Sequence, residues 1–554
     1  VEAYVRGVNA ALAAYTLPPP EFLLLQHAPA PWQPSDVYAM GALMAFQSAG
    51  NADSELLRMA LVQALGADRA AIFLPDDGAQ PDFPFVMSRA DRRGADGVMA
   101  ALEAFDAVDP LDQPLMPRFA FGSNGWAVAP GRSKTGHALF AFDSHDDLGV
   151  PNLFYEVHLF FEGTKQIRGW SVAGLPGVIN GFNERIAWGF TNIGDSQDLF
   201  IETRAKDDPL EFRDGGSWYR ARTETVEIPV KGRAAPETLT IVYTKNGPLI
   251  SDDPPIALAW TAHDLQGAGI DAILAFNRAQ NWDEFVAALD GLAAPTLNAT
   301  YADIDGTIGF RTVGLIPVRG NGDGLVPLDG GDPANRWQGT VPQDAMPRLH
   351  NPAAGFVAAA NARVNAAGEG PLVSSDNDPG YRIRRIRLVL SSRTDLTVDD
   401  MRALQTDWYD QQAELVMPAM MAALRADNLS GPARAAYDAL DAWRGNWIAH
   451  PDGAAPIVFQ AWYRALIGEV FAPGMPPDLF ARLFKSNYIV NHAIDRLVLR
   501  EVDSAWWRGE RDAIVQRAFA TAVLEVQAAQ GGDVSSWRLD RMHRVRVDHE
   551  LGKA

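Results

Sequence analysis

The sequence has no cysteine among its 554 residues. That excludes disulfides, thiolate nucleophiles, zinc ribbons and iron–sulfur clusters together. The absence suits the cytoplasm and also an exported protein that folds without disulfides, so it does not locate the chain. Positive charge is scarce: 48 Lys and Arg stand against 69 Asp and Glu, a net charge of −21. This is the wrong sign for a nucleic-acid partner or an anionic membrane surface. No apolar run approaches the roughly 18 residues that would cross a bilayer. Familiar catalytic signatures are missing too: no Gly-x-Ser-x-Gly elbow, Ser-x-x-Lys, His-Glu-x-x-His or P-loop occurs. Gly320-Asn321-Gly322-Asp323-Gly324 lacks dinucleotide spacing and reads as a turn. Asp303-Ile304-Asp305-Gly306 begins like a calcium loop but lacks its later ligands.

What is present is ordinary globular composition, 47% hydrophobic and 21% charged. At about 150 residues per domain, the length predicts three to four domain-sized units. Residues 1–105 read as helical, with Ser35 as N-cap of a helix over 36–47 and Gly66 ending another over 54–65. Pro110, Pro114 and Pro117 mark 106–122 as a connector. The remainder, 123–554, is strand-rich over 123–320 and helical over 396–530. Strands are expected near 126–129, 137–142, 153–161, 185–190, 199–202 and 239–243. Asn281-Trp282-Asp283-Glu284 reads as a capping box. Strands followed by helices without regular alternation predict an α+β fold. Val1 opens inside a helical pattern and Ala554 closes mid-element, so a chain cut at both ends is expected.

Phe121-Gly122-Ser123-Asn124-Gly125-Trp126 lies where the connector gives way to strands. One reading is a loop entering an edge strand. The other is chemical. A serine hydroxyl needs a base beside it to act as a nucleophile. A cut between Gly122 and Ser123 would supply one, a new α-amine with an ordinary pKa of about 7.7–8.0. Glycine before the serine tolerates the backbone geometry that attack on its own carbonyl would need.

The segment and its neighbours resemble the penicillin acylase (penicillin amidase) family of N-terminal-nucleophile hydrolases. Similar segments run through nearly the whole chain. Before the cut come Tyr4-Val5-Arg6-Gly7-Val8-Asn9-Ala10 and Pro31-Trp32-Gln33-Pro34-Ser35-Asp36. After it come Gly174-Leu175-Pro176-Gly177, Gly181-Phe182-Asn183-Glu184-Arg185, Asn298-Ala299-Thr300-Tyr301-Ala302-Asp303 and the stretch from Trp537 to Gly552. The resemblance implies a four-layer αββα core and self-cleavage at Gly122–Ser123. It implies Ser123 as nucleophile, with His145 orienting it, and an oxyanion hole from the Asn298 side chain and the Asn192 N–H. Arg319 would position Asn298. A calcium ion would sit on Glu55, Asp195, the Gln197 carbonyl and Asp198, tying the two product chains together. Met44 and Phe46 would line the acyl pocket.

By the same resemblance the substrate is a small-molecule N-acyl amide: a penicillin or cephalosporin, an N-acyl homoserine lactone or a relative. The location implied is periplasmic or secreted. No organic cofactor is implied, and neither nucleic acid nor membrane is expected as a partner. Asp146 departs from the family, where an apolar pocket residue often follows the histidine. Two other readings remain: a catalytically silent exported binding protein, and a carboxylate-based hydrolase.

Overall fold

The computed structural model describes residues 1–552 apart from 76–121, 147, 162–164, 195, 264–268, 366–369 and 500–503. The expected connector therefore lies, up to residue 121, outside the described residues. Near the start, α1 (Pro34–Ser48) and α2 (Asn51–Leu65) follow one another. Ser35 is not the cap expected of it. Pro34 takes the first helical position, where its missing N–H costs nothing, and Gln33 caps while its N–H donates to Asp36 at 2.7 Å. Gly66 does end α2, with φ of +73°.

The strands that position the site are β1 (Gly122–Val128), β2 (Leu139–His145), β3 (Phe154–Phe161), β4 (Lys165–Val172), β5 (Asn180–Asn183), β6 (Ile186–Asn192) and β7 (Gln197–Ile201). After helices α3 (Ile270–Phe276) and α4 (Trp282–Leu289) come β8 (Leu297–Asp303), β9 (Ile308–Val313), β10 (Arg348–His350) and β11 (Phe356–Ala359), then α5 (Tyr381–Ser392) and α6 (Val398–Gln405). Asn281 caps α4 by accepting from the Glu284 N–H. One sheet has the order β11-β1-β2, and a larger one runs β10-β9-β8-β6-β5-β4-β3.

Alternation along β1 sets the layers. Trp126 and Val128 face Ile383, Ile386 and Leu390 of α5 and Met401 and Leu404 of α6. Ala127, between them, faces Ala302, Ile308 and Phe310 of the larger sheet. The far face of that sheet, through Trp188, Phe190 and Tyr301, packs on Ile273, Phe276, Phe285 and Leu289 of α3 and α4. The stack is helix, sheet, sheet, helix: the expected four-layer αββα core. Glycines let the sheets approach closely near the site. A Cβ on Gly125 would lie 3.0 Å from Thr300 Oγ1, and one on Gly189 only 2.4 Å from the Phe142 ring.

A second, mostly helical core joins α2 to the helices Gln411–Ala422, Gly431–Trp443, Ala454–Phe471, Asn487–Leu499 and Arg511–Gln530. A six-stranded sheet containing β7 borders it. Among the described residues no helix is long and apolar enough to cross a membrane.

Candidate active site

Ser123 sits second on β1, the central strand of its sheet, with Gly122 opposite His145 and Ser123 opposite Ser144 on β2. It is buried. Asn361, just beyond β11, reaches it at two atoms. The Ser123 N–H donates to Asn361 Oδ1 at 2.7 Å, and Asn361 Nδ2 donates to Ser123 Oγ at 3.2 Å. The same Nδ2 donates to the Asn192 carbonyl at 2.8 Å. Asn361 has φ of +59°, a left-handed conformation that asparagine tolerates better than most residues. Arg382 of α5 completes the cluster. Its Nη1 donates to the Ser123 carbonyl at 2.9 Å and to Asn124 Oδ1 at 2.8 Å. Its Nη2 donates to Asn361 Oδ1 at 2.9 Å and to Asp378 at 3.0 Å. Sequence reasoning passed over both residues. Only the Asn-x-Arg segment and the basic first turn of α5 were there to be noticed, and neither matches a short motif.

Ser123 opens onto a cavity of about 130 Å³. Its walls are chiefly apolar, with Met44 from α1, Val172, Leu175 and Phe190 from the larger sheet and its turns, and Ile273 and Phe276 from α3. Asp146 is the one ionisable side chain on the described lining. Phe46 is not on it, contrary to expectation. Two residues along a helix point about 200° apart, so with Met44 toward the cavity, Phe46 packs edge-on against Trp260 at 5.3 Å.

The structure brings Asn192 to the cavity wall at the end of β6, where its side chain donates to the Ser48 carbonyl at 3.0 Å. Asn298 lies on the neighbouring β8, opposite Thr191 and fully buried. Its Oδ1 accepts from Thr312 at 2.7 Å, while its Nδ2 has no hydrogen-bond partner. An unsatisfied buried donor costs about 1–3 kcal/mol. His145 is placed differently from expectation. Its imidazole bonds Asp143 and Asn124, and it packs over Gly122, whose added Cβ would lie 3.2 Å from Nδ1. The partner of the Ser123 hydroxyl is Asn361 instead.

Arg319 pairs with Asp198 rather than with Asn298. Its Nε lies 3.0 and 2.9 Å from the two carboxylate oxygens, both side chains being buried. Trp337 also donates to Asp198. Glu55 of α2 meets the same strand, accepting from the Leu199 N–H at 3.1 Å and from Asn51 at 2.9 Å. Glu55 and the 197–199 segment thus converge as expected, but their carboxylates are held by N–H donors. No cluster of three acidic or imidazole side chains able to hold a metal occurs among the described residues. Asp195 lies outside the described residues. The described residues by themselves do not fit a calcium ion.

The whole chain, residues 1–554, matches the family Penicillin amidase. An acyl-homoserine lactone acylase, QuiP, of Pseudomonas fluorescens (strain Pf0-1) is 28% identical across 100% of this chain and 71% of its own length. Penicillin acylase 2 proenzyme of Pseudomonas sp. (strain SE83) is 31% identical over 85% of this chain and 61% of its own. Among solved structures, a thermostable penicillin G acylase from Alcaligenes faecalis superposes with a TM-score of 0.62 at 21% identity, covering 75% of this chain and 80% of that one.

Proposed function

The chain belongs to the penicillin amidase family and is an amide hydrolase, and from that premise we propose that Ser123, freed by self-cleavage after Gly122, releases an apolar acyl group from an amine. The observation that carries the reading is the placement of Ser123: buried, held at N and Oγ by one amide, at the head of an apolar cavity.

In the uncut chain Oγ attacks the Gly122 carbonyl, the Gly122 C–N bond breaks as the ester forms and the Ser123 nitrogen takes the hydroxyl proton to become a free α-amine, and water then hydrolyses the ester to a Gly122 carboxylate and a free Ser123 hydroxyl. The amine then takes the Oγ proton through a water as Oγ attacks the substrate carbonyl. Negative charge forms on the carbonyl oxygen, where the Asn298 Nδ2 and the Asn192 N–H are the donors we assign. The proton goes to the leaving amine, and a second water cleaves the acyl-serine ester. The two chains made by the cut stay together as one enzyme. The relatives' names point to penicillins and N-acyl homoserine lactones, and both classes present an acyl–amine amide of this kind.

The calcium expectation now rests on Asp195 joining Glu55 and Asp198. A fall in Tm on adding a calcium chelator supports it, and an unchanged Tm retires it. An exported location belongs to the same reading and is tested by fractionating cells that express the complete gene. The function itself is tested by following amine release from amides of graded acyl length with wild type and Ser123→Ala. Wild type should hydrolyse part of the series and the variant none of it.

A further inference from the structure

The cavity carries its one carboxylate on the strand that flanks the nucleophile. β2 runs antiparallel to β1 with Ser144 opposite Ser123. Side chains alternate along a strand, and here the alternation sorts four residues. Asp143 and His145 turn to one side, where they bond each other and Asn124. Ser144 and Asp146 turn to the other and line the cavity with Ser123. Asp146 Oδ2 is shielded from solvent, and no lysine, arginine or histidine stands on the described lining. We propose that the cavity takes an aminoacyl group, apolar except for one ammonium close to the carbonyl, and that Asp146 is the specificity-determining residue that receives this ammonium. The assignment names the substrate class of the site described above and rests on Ser123 being the nucleophile.

Register places the carboxylate. Asp146 follows Ser144 by two residues, so their Cα atoms are no more than about 7 Å apart, and Ser144 is the direct neighbour of Ser123 across the sheet. The acyl carbonyl must meet Ser123 Oγ, so the acyl atoms nearest that carbonyl are the ones brought to Asp146. A wholly apolar acyl group entering there would strip water from the carboxylate and offer nothing in return, which weakens binding. An ammonium replaces that water with a charge-assisted hydrogen bond, strengthened by the apolar side chains around it. The same carboxylate repels an acyl group that carries a carboxylate of its own. The ammonium makes and breaks no bond; it is held while Oγ attacks the carbonyl beside it. Met44, Leu175, Phe190, Ile273 and Phe276 are left to receive the apolar remainder of the acyl group. The products would be an apolar amino acid and the released amine.

The test uses the matured complete gene product and p-nitroanilides that share one acyl skeleton: 3-phenylpropanoyl, its 2-amino derivative in both configurations, and a derivative with an aminomethyl group at the far end of the ring. Sites built around a hydrogen-bonding group of the substrate reject the analogue lacking it by large factors. Wild type should therefore show a kcat/KM at least tenfold higher for one 2-amino enantiomer than for the unsubstituted amide, and the ring-aminomethyl amide should gain nothing. Asp146→Leu should reverse the order, losing at least tenfold on the 2-amino amide while gaining on the unsubstituted one. A damaged fold cannot do this, because it lowers both. Asp146→Asn, close to the native shape, should also lose the preference, and it serves where the leucine variant does not mature; where neither matures, the wild-type ratio decides. A wild type that favours the unsubstituted amide, or cleaves neither, overturns the proposal, and so does a 2-amino preference that persists in both variants. Ser123→Ala separates the two claims. If that variant stays active, the reading of Ser123 fails; if it is inactive while the preference is indifferent to Asp146, only the aminoacyl assignment fails.

Discussion

The Thr312 hydroxyl donates to Asn298 Oδ1 at 2.7 Å, and by fixing that oxygen it decides that the amide nitrogen of Asn298 is the end left without a partner. Thr312 and Asn298 face each other across β8 and β9, so sheet register sets this orientation. If Asn298 Nδ2 is the oxyanion donor proposed above, Asn298→Ala in matured enzyme should lower kcat by about 10²–10³ and leave KM nearly unchanged, since such a donor acts on charge that appears in the transition state. Thr312→Val should give a smaller fall, because it frees the amide to turn without removing it. Near-normal kcat in Asn298→Ala puts the oxyanion donor elsewhere.

Arg319 and Asp198 form a buried ion pair. Removing one partner of such a pair leaves a charge uncompensated and costs about 3–5 kcal/mol. Arg319→Ala should therefore lower the denaturation midpoint strongly. A midpoint unmoved in that variant contradicts the pairing.

Asp495 lies in the helical core, accepting hydrogen bonds from Tyr381 and from Tyr463 at 2.8 Å. Burial pushes its pKa up to about 6, against those hydrogen bonds, which pull it down. Because the folded value exceeds the unfolded one, the chain binds this proton more tightly when folded. The associated stability is present in full below about pH 4 and is lost as pH rises to about 6, on the order of 3 kcal/mol. The stability of wild type minus that of Asp495→Asn should fall across that window and stay level above it. A difference independent of pH would contradict the shift.

The cavity gives a steric prediction. Met44→Trp should cut kcat/KM at least tenfold for the longest accepted acyl chain and spare the shortest, because Met44 lines the cavity proposed to take the acyl group. Phe46→Leu should leave the ratio unchanged, since Phe46 packs on Trp260. Acyl preference responding to Phe46 rather than Met44 would reverse the assignment.

The fold was largely legible because its signals are local. Period-two runs became β2, β3 and β6, and the expected four-layer order is set by the alternation of Trp126, Ala127 and Val128. Helix starts were less legible: Pro34 moved one cap from Ser35 to Gln33. The candidate site was legible only where a residue belongs to a recognisable segment, as Ser123 does. Asn361 and Arg382 were not, because their importance comes from β11 and α5 meeting at β1 across 238 and 259 residues of chain. Arg319 was assigned a neighbour from its position in the strand segment. Its actual partner, Asp198, is 121 residues away on another sheet.

Intact mass and N-terminal sequencing of the complete gene product, wild type beside Ser123→Ala, test the central claim most directly. Wild type should yield two chains without added protease, the second beginning Ser-Asn-Gly-Trp from Ser123, and Ser123→Ala should remain one chain. A wild-type product that stays whole, or a mature chain beginning at any other residue, would contradict the account.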